Sequence, residues 1–161
     1  MSKLALDRLK DRFGDVITST HSQHGDDTAV VARAKILDVL AFLKDDPELH
    51  FNMCSDLTCV DYFNREPRFD VVYHLYSTTK KKRVRIKVGV SEDDATVPSS
   101  VALWAGNNWL EREAFDMFGV RFEGHPDLRR LFMYSSFEGH ALRKDYPKDK
   151  RQPLARREGL T

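Results

Sequence analysis

Long apolar runs are missing from this 161-residue sequence. No stretch approaches the roughly 20 residues needed to cross a bilayer, so membrane association is expected to come through partner proteins. Met1-Ser2-Lys3 leads straight into charged residues, with no apolar signal-peptide core. Cysteine is scarce. Cys54 and Cys59 are the two present, in a region that reads as strand, with no second pair to complete a zinc site and no cluster for iron–sulfur ligation. Reduced, partly buried thiols are the expected state, which suits a cytosolic compartment. A Gly-rich phosphate loop and a dinucleotide fingerprint are also lacking. So is an excess of charge: 26 Lys and Arg face 25 Asp and Glu, which favours neither nucleic acid nor membrane as partner. The chain has no visible means of holding an electron or a hydride.

What is present is amphipathic pattern. The length suits one domain with a real core. Leu6, Leu9 and Phe13 share a helical face that Gly14 closes. Val16 to Thr20 reads as a strand, His21 to Asp27 as a polar turn, and Thr28 to Ala32 as the returning strand. His21 and His24 lack further metal ligands nearby. Ala34 to Asp45 reads as a helix with Ile36, Leu37, Leu40 and Leu43 inward, stopped before Pro47. Phe69, Val71, Tyr73 and Leu75 alternate, as do Val84, Ile86, Val88 and Val90, with Thr78 to Lys82 joining the two as a hairpin. Ser91 to Pro98 reads as loop, and Ser99 to Trp104 as the opening of a short helix. This order gives an α+β domain of two layers, a largely antiparallel sheet packed by helices.

The stretch from Trp109 to Pro147 breaks the pattern: WLEREAFDMFGVRFEGHPDLRRLFMYSSFEGHALRKDYP. Phe-Glu-Gly-His occurs twice, at Phe122 to His125 and Phe137 to His140, each followed by Leu-Arg-Arg or Leu-Arg-Lys. Charge, Gly and aromatic residues in this density mark loop structure whose charges need fixed partners, and such loops carry function. Trp109, Leu110, Ala114, Met117 and Phe118 suit the apolar stripe of a short helix that Gly119 ends. Arg112 and Asp116 stand four apart and can pair along it, for about 0.3–0.5 kcal/mol. Glu111, Glu113 and Asp116 otherwise form a solvated face. Asp127 is an N-cap candidate for a helical turn carrying Leu128, Leu131 and Phe132.

The run Leu110 to Leu131 resembles the signature of the 30 kDa-type subunit of proton-pumping NADH:quinone oxidoreductase (respiratory complex I). Asp56 to Tyr62 and Phe137 to Pro147 agree with it, and Phe69 to Ser77 agrees more weakly. The resemblance covers about Ala29 to Pro147. Ala141 stands where the family usually has Pro after the second Gly-His, and Tyr134-Ser135-Ser136 replace its Pro and acidic residues.

The resemblance implies a structural, non-catalytic subunit of the peripheral arm, on the cytoplasmic side of the membrane and held there by partner subunits. It would pack against the quinone-site subunit, near the terminal iron–sulfur cluster subunit. It would bind no cofactor itself; FMN, iron–sulfur clusters and quinone belong to the partners. Equivalent subunits of membrane-bound hydrogenases and deazaflavin-dependent oxidoreductases are the alternative. Residues 1–132 would form the α+β domain and 133–161 an extended basic arm docking on partners. From Arg129 to Arg157 nine basic residues face three acidic ones. Within this frame Glu111, Arg112, Glu113 and Asp116 fix the Gly119 to His125 loop, including Gly124. His125, Arg129 and Arg130 cap or pair at the partner boundary, and Glu138, Gly139 and His140 repeat the motif. Arg143, Lys144, Asp145 and Tyr146 are the expected docking anchors.

Two other readings of the residues stand beside this one. His125, His140, Glu111 and Glu113 could ligate zinc in a hydrolase. The basic tail with Arg83, Arg85 and Lys87 could bind nucleic acid, without the interleaved aromatics of a stacking platform.

Overall fold

The computed structural model describes residues 3–153, so the last part of the expected basic arm, 154–161, lies outside the described residues. Helix α1 (Lys3–Phe13) buries Ala5, Leu6 and Leu9 and gives way at Gly14, whose φ of +48° suits glycine. Strands β1 (Ile17–Gln23) and β2 (Asp26–Val31) form a hairpin that is tighter than the expected seven-residue turn. His24 and Gly25 both take positive φ, 54° and 84°, and this mirror-image turn matches the strand twist, so pairing continues to Gln23 and Asp26.

Helix α2 (Ile36–Asp45) follows a single 3-10 turn at Arg33–Lys35. Its buried row is Ile36, Val39, Leu40 and Leu43. Val39 takes the place expected of Leu37, which is half-buried, because the i, i+3, i+4, i+7 row starts at Ile36.

Strands β3 (Met53–Asp61), β4 (Phe69–Ser77) and β5 (Lys82–Val90) complete a five-stranded sheet of order β1-β2-β5-β4-β3. All neighbours are antiparallel except β2 and β5. The two alternating sets foreseen on β4 and β5 are buried in one core with α1 and α2. A Leu40→Ala or Ile86→Ala change would remove about 2–5 kcal/mol. The α+β class and the antiparallel sheet thus follow from strand alternation.

Helix α3 (Asn107–Phe118) packs along β3, and Gly119 ends it at φ +81°. Its buried row is largely polar: Asn107, Glu111, Arg112 and Asp116 join Ala114 and Met117. Trp109, expected on the inner stripe, is 60% exposed. Two short strands, β6 (Thr96–Pro98) and β7 (Arg121–Glu123), pair in parallel as a second sheet. The loop expected over Ser91 to Pro98 is therefore partly strand, because Val97 pairs and packs beside Phe122, a partner far along the chain. The helix expected at Ser99 to Trp104 is only turns, and α3 begins later. Asp127 caps no helix. Residues 124–153 hold no helix or strand: the N–H groups of Leu131, Phe132 and Met133 go to the Asp116 carboxylate, and those of Phe137, Arg143, Tyr146 and Lys150 close single turns.

Candidate site: buried clamps around helix α3

Three buried carboxylates organise the region. Glu111 has no exposed surface. It accepts bonds from Ser99 Oγ, Ser100 N and Ser100 Oγ, each at 2.7 Å, and Asn107 Nδ2 donates to Ser100 Oγ at 2.7 Å. This stitches α3 to the chain just after β6.

Asp116, in the last turn of α3, is also wholly buried. Its Oδ2 collects the N–H groups of Leu131, Phe132 and Met133 at 3.0, 2.8 and 2.9 Å, and Oδ1 pairs with Arg130 at 2.7 Å. Burial alone pushes its pKa up, but these donors together hold it below the usual carboxylate range. Arg112 donates to the carbonyls of Arg129 and Arg130 at 3.1 and 3.2 Å. Arg112 and Asp116 thus grip one loop from two sides and do not pair along the helix as expected.

The third carboxylate, Asp61 at the end of β3, meets Arg68. Arg68 donates from Nε and Nη2 to the two Asp61 oxygens at 2.9 and 2.8 Å, and to Asp145 at 2.8 and 3.2 Å. Glu92 joins at 2.7 Å. Arg68 hydrogen bonds hold both Asp61 and Asp145 below the ordinary carboxylate range, and the two carboxylates push Arg68 further up. The guanidinium also lies 5.0 and 5.1 Å from the Phe69 and Phe63 ring centres. Arg68 was not legible as a site residue, because its partners lie 7, 24 and 77 positions away.

The second Gly-His motif closes the arrangement. An α-helix leaves its last four carbonyls without intrahelical partners. Gly119 N satisfies Phe115 O at 2.9 Å, His140 Nδ1 satisfies Asp116 O at 3.0 Å, Leu142 N satisfies Met117 O at 3.1 Å, and Arg143 Nε satisfies Phe118 O at 2.6 Å. Residues 140–143 are a C-cap delivered from outside the helix, and Arg143 brings a cation to the negative end of its dipole. Lys144 N then donates to Asp61 at 2.7 Å, and Arg143 reaches Glu92 at 3.2 Å. Burial lowers the His140 pKa, so the ring is neutral at pH 7 and Nδ1 carries the proton that its carbonyl partner requires.

A Cβ added at Gly139 would sit 3.2 Å from the Tyr146 ring, Phe137 stacks on Tyr146 at 5.8 Å, and Gln152 links Tyr146 to the backbone of Glu138. Arg130 also donates to Gly139 O at 3.1 Å. His125 Nε2 donates to Asn108 O at 3.2 Å and its Nδ1 accepts from Asp127 N, while Gly124 forms the turn at φ 78°. Arg129 is exposed and pairs with Asp127, and Glu113 is half-buried. The expected docking anchors Arg143 and Asp145, and the Lys144 amide, are engaged with the chain's own domain.

Neither of the two other readings gathers its residues. His125, His140 and Glu111 each answer a separate protein partner, and the described residues hold no group of three or more donors suited to a metal. Arg83 lies over Tyr76, Arg85 pairs with Asp26 at 2.8 Å, and Lys87 pairs with Asp70 at 3.7 Å. Cys54 and Cys59 are free thiols; burial pushes Cys54 up to about 12 and Cys59 higher.

Fold and clamps define an α+β domain that carries its own C-terminal segment tied across one helix end. A family model described as "Respiratory-chain NADH dehydrogenase, 30 Kd subunit" matches residues 29–152, and the chain belongs to that family. It is 51% identical over 142 residues to the C-type subunit of NADH-quinone oxidoreductase from Roseiflexus sp. (strain RS-1), covering 88% of this chain and 82% of the relative. The subunit of the same name from Geobacter sulfurreducens is 46% identical over 144 residues, with 89% and 88% covered. Among solved structures, a trypsin-resistant fragment (1-134) of Nqo5 superposes with a TM-score of 0.68 at 32% identity, covering 77% of this chain and 99% of the fragment. A chain of the membrane-bound sulfane sulfur reductase, an archaeal respiratory membrane complex, shares the fold: TM-score 0.74, 21% identity, 91% and 85% covered.

Proposed function

We propose that this chain is a structural and assembly subunit in the peripheral arm of a proton-translocating NADH:quinone oxidoreductase. It packs against the quinone-site subunit near the terminal iron–sulfur cluster subunit and carries no redox centre itself. FMN, iron–sulfur clusters and quinone belong to its partners. Its place is the cytoplasmic face of the membrane, held by those partners. Among the described residues no helix is long and apolar enough to cross a bilayer.

One observation carries the reading. Four charged residues of the family stretches are spent in buried clamps, with Glu111, Asp116 and Asp61 each meeting several donors and Arg112 holding two backbone carbonyls, as suits a rigid scaffold. Residues 133–161 serve as the docking arm. The clamps hold its first part in place, while Leu142 and Phe132 remain exposed together with the Lys144 side chain. The names of the relatives at 46–51% identity favour NADH as the electron donor over the hydrogenase and deazaflavin alternatives.

The test is a pull-down of the tagged full-length chain from mild-detergent membrane extract. Iron–sulfur and quinone-reducing subunits are expected with it, and lost on truncation after Phe132, with circular dichroism confirming that the truncated chain still folds. Recovery of no redox subunit by the full-length chain overturns the reading.

A further inference from the structure

The sheet has two edges, and they are finished differently. The β3 edge carries Asp56 and Asp61, a bulge between Cys54 and Asp56, and helix α3 packed against it. Charges, bulges and covering helices are the devices that keep a strand edge from pairing with other chains. The β1 edge has almost none of them. Its seven residues, Ile17-Thr18-Ser19-Thr20-His21-Ser22-Gln23, include no Asp, Glu, Lys, Arg or Pro, and Thr18, Ser19, Ser22 and Gln23 are exposed. Its one irregularity lies at the start, between Ile17 and Ser19.

The register says which backbone groups are on offer. The two-residue turn makes Gln23 and Asp26 the closing hydrogen-bonded pair, and bonding alternates back along the strand. Gln23 and His21 therefore face β2, while Ser22 and Thr20 turn their N–H and C=O groups outward. Only an extended backbone matches such a row, with specificity left to side chains on alternating faces. In a chain that belongs to a multi-subunit oxidoreductase, an edge without protection is an edge that assembly covers.

We propose that β1 is a strand-addition site, where an extended strand of another subunit of the oxidoreductase becomes the sixth strand of the sheet. This surface is additional to the C-terminal arm, and only the identity of the partner rests on the proposed function above.

The test is hydrogen–deuterium exchange on the peptide spanning residues 17–23, in the isolated chain and in the assembled complex. Exchange at the outward amides is expected to be fast in the isolated monomer and to slow by about tenfold or more in the complex. Thr20→Pro deletes one outward donor without touching the bonds to β2. It is expected to leave the circular dichroism and melting of the isolated chain near wild type, as proline is tolerated at an edge, while recovery of the chain in the complex falls about tenfold. Thr20→Val, which keeps the amide, retains recovery. Two results overturn the proposal while leaving the functional reading intact: equally fast exchange in a complex whose redox subunits are present, or protection already in the isolated chain, as a monomer covered by its own tail or as a dimer. Recovery of no redox subunit removes both.

Discussion

Asp116 does the work of a small anion-binding nest turned inside out: three consecutive backbone N–H groups, usually a receptor for phosphate, close on the chain's own carboxylate. Asp116→Ala leaves those donors and Arg130 without their acceptor, and breaking a buried pair from one side costs about 3–5 kcal/mol. Asp116→Asn, which keeps the shape and one acceptor oxygen, should fall between it and wild type in urea denaturation. Gly119 is constrained twice. Its φ of +81° costs any L-residue about 1–2 kcal/mol. An added Cβ would also sit 2.6 Å from His140 Nε2 and 2.7 Å from Arg143. Gly119→Ala is therefore expected both to lower the melting temperature and to lift residues 140–143 off the helix, seen as faster trypsin cleavage after Arg143 and Lys144. A melting shift without faster cleavage would mean that the cap does not depend on this close approach. Gly119 was legible because a helix stop needs only local sequence. The role of Asp116 was not, since its partners lie 14 to 17 residues on and its i−4 neighbour Arg112 suggested a pair that does not form.

At the scale of elements, α3 is a helix finished by another part of the chain. Arg68 fixes the same segment from below through Asp145 and Asp61, and Arg143 and Glu92 extend the network. Arg68→Met keeps the aliphatic stem beside Phe69 and removes the charge, leaving Asp61 buried and uncompensated at a cost of about 3–5 kcal/mol. The expected exchange pattern is specific: amides of residues 140–146 lose protection first, while β4 and β5 keep theirs. Uniform loss across the sheet would mean that Arg68 holds the core and not the segment. Strands β4 and β5 and helices α1 and α2 were readable because burial on one side imposes period 2 or 3.6 on the sequence itself. Strand β6 and the path of residues 124–153 were hidden because their order comes from partners far along the chain. A buried polar row such as Asn107, Glu111, Arg112 and Asp116 looks in sequence like a solvated face.

For the whole molecule the clamps set a direction of pH dependence. Asp61, Asp116 and Asp145 have folded pKa values below the usual carboxylate range, so the unfolded chain takes up their protons first. Their contribution is complete above about pH 4 and is lost as pH falls from there towards the folded values. His74 and His140 are lowered too, chiefly by burial, with Arg85 adding to the effect at His74 and Arg143 and Arg130 at His140. A histidine that resists protonation in the fold stabilises fully above its unfolded value near 6.5, and this contribution shrinks as pH falls below it. Both groups act in the same sense. Urea midpoints are expected to be flat from pH 8 to about 6.5, to decline gently below that, and to fall steeply below about 4. His140→Asn places an amide donor where Nδ1 stood, keeping the bond to Asp116 O without a titrating ring, so the gentle decline should become shallower with the steep one unchanged. An unaltered slope between pH 6.5 and 5 would show that His140 is as easily protonated on the fold as off it. The cap on α3 would then survive a charge at its centre, and the acid sensitivity of this end of the molecule would belong to the carboxylates alone.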